Sequence, residues 1–237
     1  MIRKRYFSLG LLFVASFLGA YSASAAPKTP VVLFLDSTVS LTTHDGSASR
    51  FGEIVKTSKQ FLRSKDVPYE IKIQPWRRIL RDAETQQNGL IIGLIRSPER
   101  EEHFHWLHPL LITDYKLIAR NTEEFQNLDH DSIISGKYTV VCETESAQCD
   151  MLSKFGFKEE NILQLAEAKA EGFESLLLHG RIDFIVSDMK EVNNNLKNLG
   201  HSEQAVIPVA TVDASHIYLA GSKSTLDPKY LEILMTP

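Results

Sequence analysis

Short apolar runs alternate with segments of helical period along this chain, and they do so twice over. The runs Val31 to Leu35, Tyr69 to Ile73, Leu90 to Ile95 and Lys116 to Ala119 have strand length and polar borders. Between them Phe51, Ile54, Val55, Phe61 and Leu62 share one helix face, while Trp76, Ile79, Leu80 and Ala83 recur at i, i+3, i+4 and i+7. The second half repeats the grammar. Tyr138 to Cys142 reads as a strand, Cys149 to Phe155 as a helix closed by Gly156, and Ile162 to Leu165 as a short strand. A helix from Glu171 to His179 stops at Gly180, Phe184 to Val186 is strand-like, and Met189 to Leu199 is a helix with Gly200 at its C-terminus. Ala205 to Ala210 and Ile217 to Ala220 are extended. This pattern predicts an α/β architecture with a largely parallel, helix-covered sheet, in two units joined near Arg120 to Glu124. Ligands of such sheets sit beyond the carboxyl ends of strands, and a cleft between lobes is where a pocket is expected.

The first residues set the compartment. Arg3, Lys4 and Arg5 precede an almost uncharged run from Tyr6 to Tyr21, and Ala23-Ser24-Ala25 follows, the order of a secretory signal peptide. The run is interrupted by Ser8, Gly10, Ser16 and Gly19 and is short for a membrane span of about 20 apolar residues. Residues 1–25 are therefore expected to be removed, with cleavage after Ala25 and a periplasmic mature chain. No cysteine lies near the site to carry a lipid. Loss of the three basic residues takes the formal charge from −4 to −7, which argues against nucleic acid or an anionic membrane as a partner. A monomer is expected.

Cys142 and Cys149 lie seven positions apart. In an oxidising compartment a disulfide is the default, adding about 2.5 kcal/mol in the chain-entropy model. Two free thiols are the alternative. Zinc is the weaker reading, because the spacing is not that of a knuckle and no His lies between them.

PWRRILRDAETQQNGLIIGLIRSPEREEHFHWLHPL, from Pro75 to Leu110, resembles the family 3 extracellular solute-binding proteins, periplasmic receptors of amino-acid ABC transporters. The carriers of the resemblance are the helix from Trp76, the strand Leu90 to Ile95, the turn Ser97-Pro98-Glu99-Arg100, Phe104, and Trp106-Leu107-His108-Pro109. GRIDFIVSDMKEV, from Gly180 to Val192, and GKYTVVCETESAQ, from Gly136 to Gln148, are similar to two further family segments in register. The resemblance implies a type II periplasmic-binding-protein fold, two α/β lobes joined by a hinge that the chain crosses twice. Lobe one would hold residues 26–120 and 213–237, lobe two residues 121–212. Lobe closure about such a hinge is a known motion of periplasmic binding proteins, which serve as the general example of it.

By family position Arg100 holds a ligand carboxylate through its planar fork; a surface arginine paired with Glu99, Glu101 or Glu102 is the plainer reading. Asp188 matches an acceptor for a ligand ammonium group and equally suits a helix N-cap. Ser146 stands where the family offers a hydroxyl beside a helix start, and capping would also explain it. Gly93 and Ile95, where amino-acid receptors show small hydroxyl residues, are expected to face the ligand with Trp76. The segment Asp36 to Ser49 and Arg50-Phe51-Gly52-Glu53 also depart from the receptors' pattern, and the chain stops at Pro237 after a short segment, which predicts thin cover over lobe one. His103, His105 and His108 read as ordinary polar residues around Phe104 and Trp106. No metal site, cofactor motif or nucleophile elbow is read.

The expectation is thus a receptor that captures a small polar solute, carboxylate-bearing and amino-acid-like, for an inner-membrane ABC permease or a sensor. Two alternatives stand beside it. One is a periplasmic enzyme of the same fold, cyclohexadienyl dehydratase-like, with Glu143 or Glu145 as general base. The other is an interaction module that binds no ligand.

Overall fold

The computed structural model describes residues 29–39, 41–42, 46–166 and 172–236; the expected signal peptide and its cleavage site lie outside them. The elements run β1 (Val31–Asp36), α1 (Arg50–Ser64), β2 (Tyr69–Gln74), α2 (Trp76–Thr85), β3 (Gly89–Ile95) and β4 (Phe104–Arg120). They continue with α3 (His130–Ile133), β5 (Val140–Glu143), α4 (Ala147–Phe155), β6 (Ile162–Leu165), α5 (Gly172–Leu178), β7 (Phe184–Ser187), α6 (Met189–Asn198), β8 (Val206–Ser222) and α7 (Pro228–Met235).

The eight strands are ordered β2-β1-β3-β8-β4-β7-β5-β6. Each end is a parallel βαβ array: β1 pairs with β2 and β3 in one lobe, and β5 with β6 and β7 in the other. Between them run β8 and β4, 17 residues each, antiparallel to one another and to their outer neighbours β3 and β7. The sheet is therefore mixed rather than largely parallel. Lys116 to Ala119, which sequence periodicity isolates as a strand, is the far end of β4 and pairs with β7. Likewise the two extended segments after Ala205 are one strand, β8. The charged residues after Arg100 form no helix beyond the single 3-10 turn Pro98–Arg100.

The passage between lobes lies where β4 and β8 change partners. Ile95 pairs with Ile217, and Lys116 with both Ser187 and Thr211. The β4–β8 register slips between Tyr115 and Lys116, and such a bulge bends the ribbon and adds twist. This construction is the two-lobed, twice-crossed α/β fold of periplasmic binding proteins.

Core packing follows the strand alternation. In β1, Val31, Leu33 and Leu35 point into the cluster shared with Ile54, Val55 and Leu62 of α1, while Val32 and Phe34 meet Ile79 and Ala83 of α2. Lobe two has its own cluster of Val141, Ile185, Leu177, Val192 and Leu196. Despite its shortness the tail closes over lobe one: Tyr230 and Leu234 of α7 are buried in the main cluster, and the Tyr230 hydroxyl donates to the Thr29 carbonyl. Among the described residues no helix is long and apolar enough to cross a membrane.

Candidate functional site

A cavity of about 210 Å³ opens between the lobes. At ~30 Å³ per water molecule it suits a small metabolite rather than a polymer. Lobe one lines it with Phe51, Trp76, Gly93, Ile95 and Arg100, lobe two with Glu143, Ser146, Glu174, Glu191 and Asn195, and Tyr115 stands at the crossing. Five of the six residues singled out from sequence, Trp76, Gly93, Ile95, Arg100 and Ser146, thus converge on one cavity; Asp188 is not in its lining.

Arg100 leaves the 3-10 turn after β3 with one guanidinium nitrogen donating to the Ile95 carbonyl at 3.1 Å and another to the Glu145 carbonyl at 3.2 Å. Its guanidinium carbon lies 5.9 Å from the centre of the Trp76 ring, within cation–π range. Burial lowers its pKa, partly offset by the Asp150 and Glu99 charges; the guanidinium stays charged. Glu145, in the left-handed region at φ 65, is where lobe two meets this cluster. The Trp76 indole also donates to its carbonyl, at 3.3 Å, and Arg77 pairs with its carboxylate at 3.2 Å. Cys142 at the end of β5 and Cys149 in α4 form a disulfide around that loop. Ser146 is the residue before α4, and its side chain makes no capping bond to the helix.

Asp188 does cap α6, accepting from the Lys190 N–H at 2.9 Å. Its other oxygen accepts from the Thr113 hydroxyl at 2.7 Å and meets Arg50 of α1 at 2.6 Å. Burial pushes this carboxyl up, but Thr113 and Arg50 outweigh it and hold it below the ordinary aspartate value. Arg50, whose guanidinium also bonds the Ile112 carbonyl at 3.0 Å, thus pairs with the carboxylate that family position offers to a ligand ammonium group.

Sequence reading passed over the acidic wall of lobe two. Glu174 of α5 is 5 % exposed and accepts from the Asn195 amide of α6 at 3.0 Å; burial raises its pKa, with Asn195 and its own N–H opposing. Glu191 is raised to about 7 by burial first, then by the charges of Glu174 and Asp188, with Arg50 opposing. A signal was present, since Glu174 lies three residues from the core residue Leu177, on its face of the helix. Elsewhere, His108 stacks on Phe61 at 4.3 Å between ring centres, and Arg96 pairs with Glu101 at 2.6 Å. Among the described residues no group of three or more His, Cys, Asp or Glu side chains is arranged to hold a metal ion.

No protein-family model and no curated protein sequence matches the chain. Solved structures do. The arginine-bound form of truncated ArgBP from T. maritima superposes at a TM-score of 0.67 with 16% identity, over 86% of this chain and 92% of that one. A histidine kinase sensor domain with similarity to periplasmic binding proteins gives 0.67 and 15% over 87% of each chain. A protein described as the binding component of an ABC transporter from Wolinella succinogenes, complexed with lysine, gives 0.66 and 16% over 87% of this chain and 86% of its own. At these identities the likeness defines the class of fold, that of the periplasmic binding proteins. The chain's own residues must carry the rest.

Proposed function

We propose that this protein is an exported, periplasmic receptor without chemistry of its own. It captures a small polar solute between residues 26–120 with 213–237 on one side and residues 121–212 on the other, and presents it to an inner-membrane ABC permease or sensor. The observation that carries the reading is Arg100: a charged, largely buried fork within cation–π range of Trp76, lining with Ser146 a cavity of metabolite size. Arg100 would bind a carboxylate or similar acceptor on the solute, since a buried anion needs such a partner. Fold relatives described as arginine-bound, lysine-complexed and a kinase sensor domain support solute capture and leave both kinds of partner open.

A thermal-shift screen with amino acids, small carboxylates and polyamines tests this, because a ligand at 100 times its Kd adds about 2.7 kcal/mol to stability. Calorimetry of Arg100→Ala with the ligand so found should show a loss of about 2–5 kcal/mol. Unchanged affinity would remove Arg100 from the site. Cell fractionation with N-terminal sequencing should find a soluble periplasmic chain beginning at Ala26.

A further inference from the structure

Asp188, the residue that family position offers to a ligand cation, already carries Arg50, Thr113 and the Lys190 N–H. The cleft nevertheless remains acidic. Among its described lining residues Asp36, Glu143, Glu174 and Glu191 are carboxylates, and Arg100 is the single lysine or arginine. Glu191 and Asn195 are one helical turn apart on α6 and so share a face, and Asn195 holds one oxygen of Glu174 from α5. The buried Glu174 and the partly buried Glu191 line the same wall, and the Glu174 charge disfavours ionisation of Glu191. The charged groups acting on Glu191 are Glu174 from α5, Asp188 at the start of its own helix and Arg50 from α1, and Arg50 is already bonded to Asp188.

A second, independent feature points to an occupant. Tyr115 is 7 % exposed and lines the cavity, within electrostatic reach of Asp188, Arg50 and Arg100. Among the described residues its hydroxyl has no hydrogen-bond partner, and it is open to the cavity rather than sealed off, so it is free to donate to or accept from a bound solute. The ring is fixed at the bulge of β4, so the hydroxyl is presented to whatever fills the cleft.

We infer that the cleft takes a small organic cation, its ammonium or guanidinium group seated against Glu191 and Glu174 with the Tyr115 hydroxyl as a further acceptor or donor, and that its capture releases one proton from the Glu174/Glu191 pair. The inference rests on the receptor reading above. It adds the charge of the solute, moves the cationic pole from Asp188 to Glu191, and makes capture pH-dependent. The raised value of Glu191, about 7, places that dependence near neutrality.

The test is calorimetry with four probes: L-arginine, L-citrulline (the same skeleton with a neutral urea), putrescine and succinate. Arginine or putrescine should bind, and arginine should exceed citrulline by about 30-fold or more, as for loss of one partner of a buried charge pair. Affinity for the cation should fall about tenfold from about pH 8 to about pH 6, with proton release visible as a dependence of the heat on buffer ionisation. Glu191→Gln should abolish both the pH dependence and the preference for arginine over citrulline. Citrulline equal to arginine, succinate tighter than either cation, or a pH-independent affinity in the wild-type protein would overturn the inference and leave the receptor reading standing. No binding of any probe at ~10 mM, together with silence in the wider solute screen, overturns both. The pH series on the wild-type protein needs no variant, so a misfolded Glu191→Gln would not rescue the idea.

Discussion

Arg50 at the start of α1 and Asp188 at the start of α6 meet at 2.6 Å across the cleft, so two helix N-termini in different lobes are tied by one ion pair. Their side chains are 20% and 17% exposed, between the surface pairs that contribute little and the buried pairs whose rupture costs several kcal/mol. Arg50→Ala should cost about 1–3 kcal/mol, and a cycle with Asp188→Asn should show coupling between the two. The Asp188 carboxyl is held below its ordinary value, so its contribution is complete above about pH 4 and disappears as pH falls through the lowered folded value. Urea unfolding of wild type and Arg50→Ala should accordingly differ at pH 7 and converge in acid. Equal stabilities at pH 7 would show that the pair does not hold the lobes.

Glu191 has the opposite sign. Its folded pKa, raised from 4.5 to about 7, means that the folded chain holds a proton the unfolded chain releases. Stability from this group is complete below about pH 4.5 and is lost as pH rises to about 7. At ~1.4 kcal/mol per pKa unit, reduced for partial exposure, the ionised side chain costs on the order of 1–3 kcal/mol. Glu191→Gln should therefore be more stable than wild type at pH 8, by about 2–4 °C per kcal/mol for a chain of this size, and equal to it near pH 4. A variant less stable than wild type at pH 8 would mean that the carboxylate is needed for the fold rather than tolerated by it.

Legibility in the sequence followed the range of the interactions. Strands β1, β3 and β7 are unbroken apolar runs because helices cover both their faces, and Gly156 and Gly200 ended their helices as expected, both at positive φ. Trp76, Arg100 and Ser146 lie just past strand ends and Gly93 and Ile95 in the last three residues of β3, positions that the family resemblance singled out and that all line one cavity. The long antiparallel strands were missed because bulges interrupt the alternation: β4 slips register four times along β8, and each slip breaks the period of two. Arg50, Tyr115 and Glu191 were missed for another reason. Their roles depend on partners 138, 73 and 17 residues away, at Asp188 for Arg50 and Tyr115 and at Glu174 for Glu191, and nothing local marks such pairings.

The Cys142–Cys149 disulfide encloses Glu145, whose carbonyl takes the Trp76 and Arg100 bonds and whose carboxylate takes Arg77. Replacing both cysteines by serine should lose about 2.5 kcal/mol from chain entropy and also loosen this contact between lobes. Thermal melting with and without reductant measures the first effect. Quenching of the Trp76 fluorescence by acrylamide, read against a Trp106→Phe background, reports the second. Unchanged quenching would confine the disulfide to lobe two.

Gly93 is the backbone position at which fold and site make competing demands. It sits in β3 at φ +88, where the pairing with β8 slips between Ile92 and Leu94, and its bare Cα lines the cleft. A Cβ there would lie 3.4 Å from the Phe51 ring, an ordinary contact, so the molecule has room for a methyl group but not the backbone for one. A left-handed conformation costs an L residue about 1–2 kcal/mol. Gly93→Ala should therefore lower Tm by roughly 2–8 °C, at 2–4 °C per kcal/mol, and weaken solute binding by filling the cleft beside Phe51. Gly200→Ala is the control, since it has φ +78 with nothing within 4 Å of the added Cβ. It should show the stability loss without the binding loss. If the two variants lose stability equally and Gly93→Ala still binds at wild-type affinity, the methyl group does not reach the solute, and the ligand lies nearer Arg100 and the acidic wall than β3.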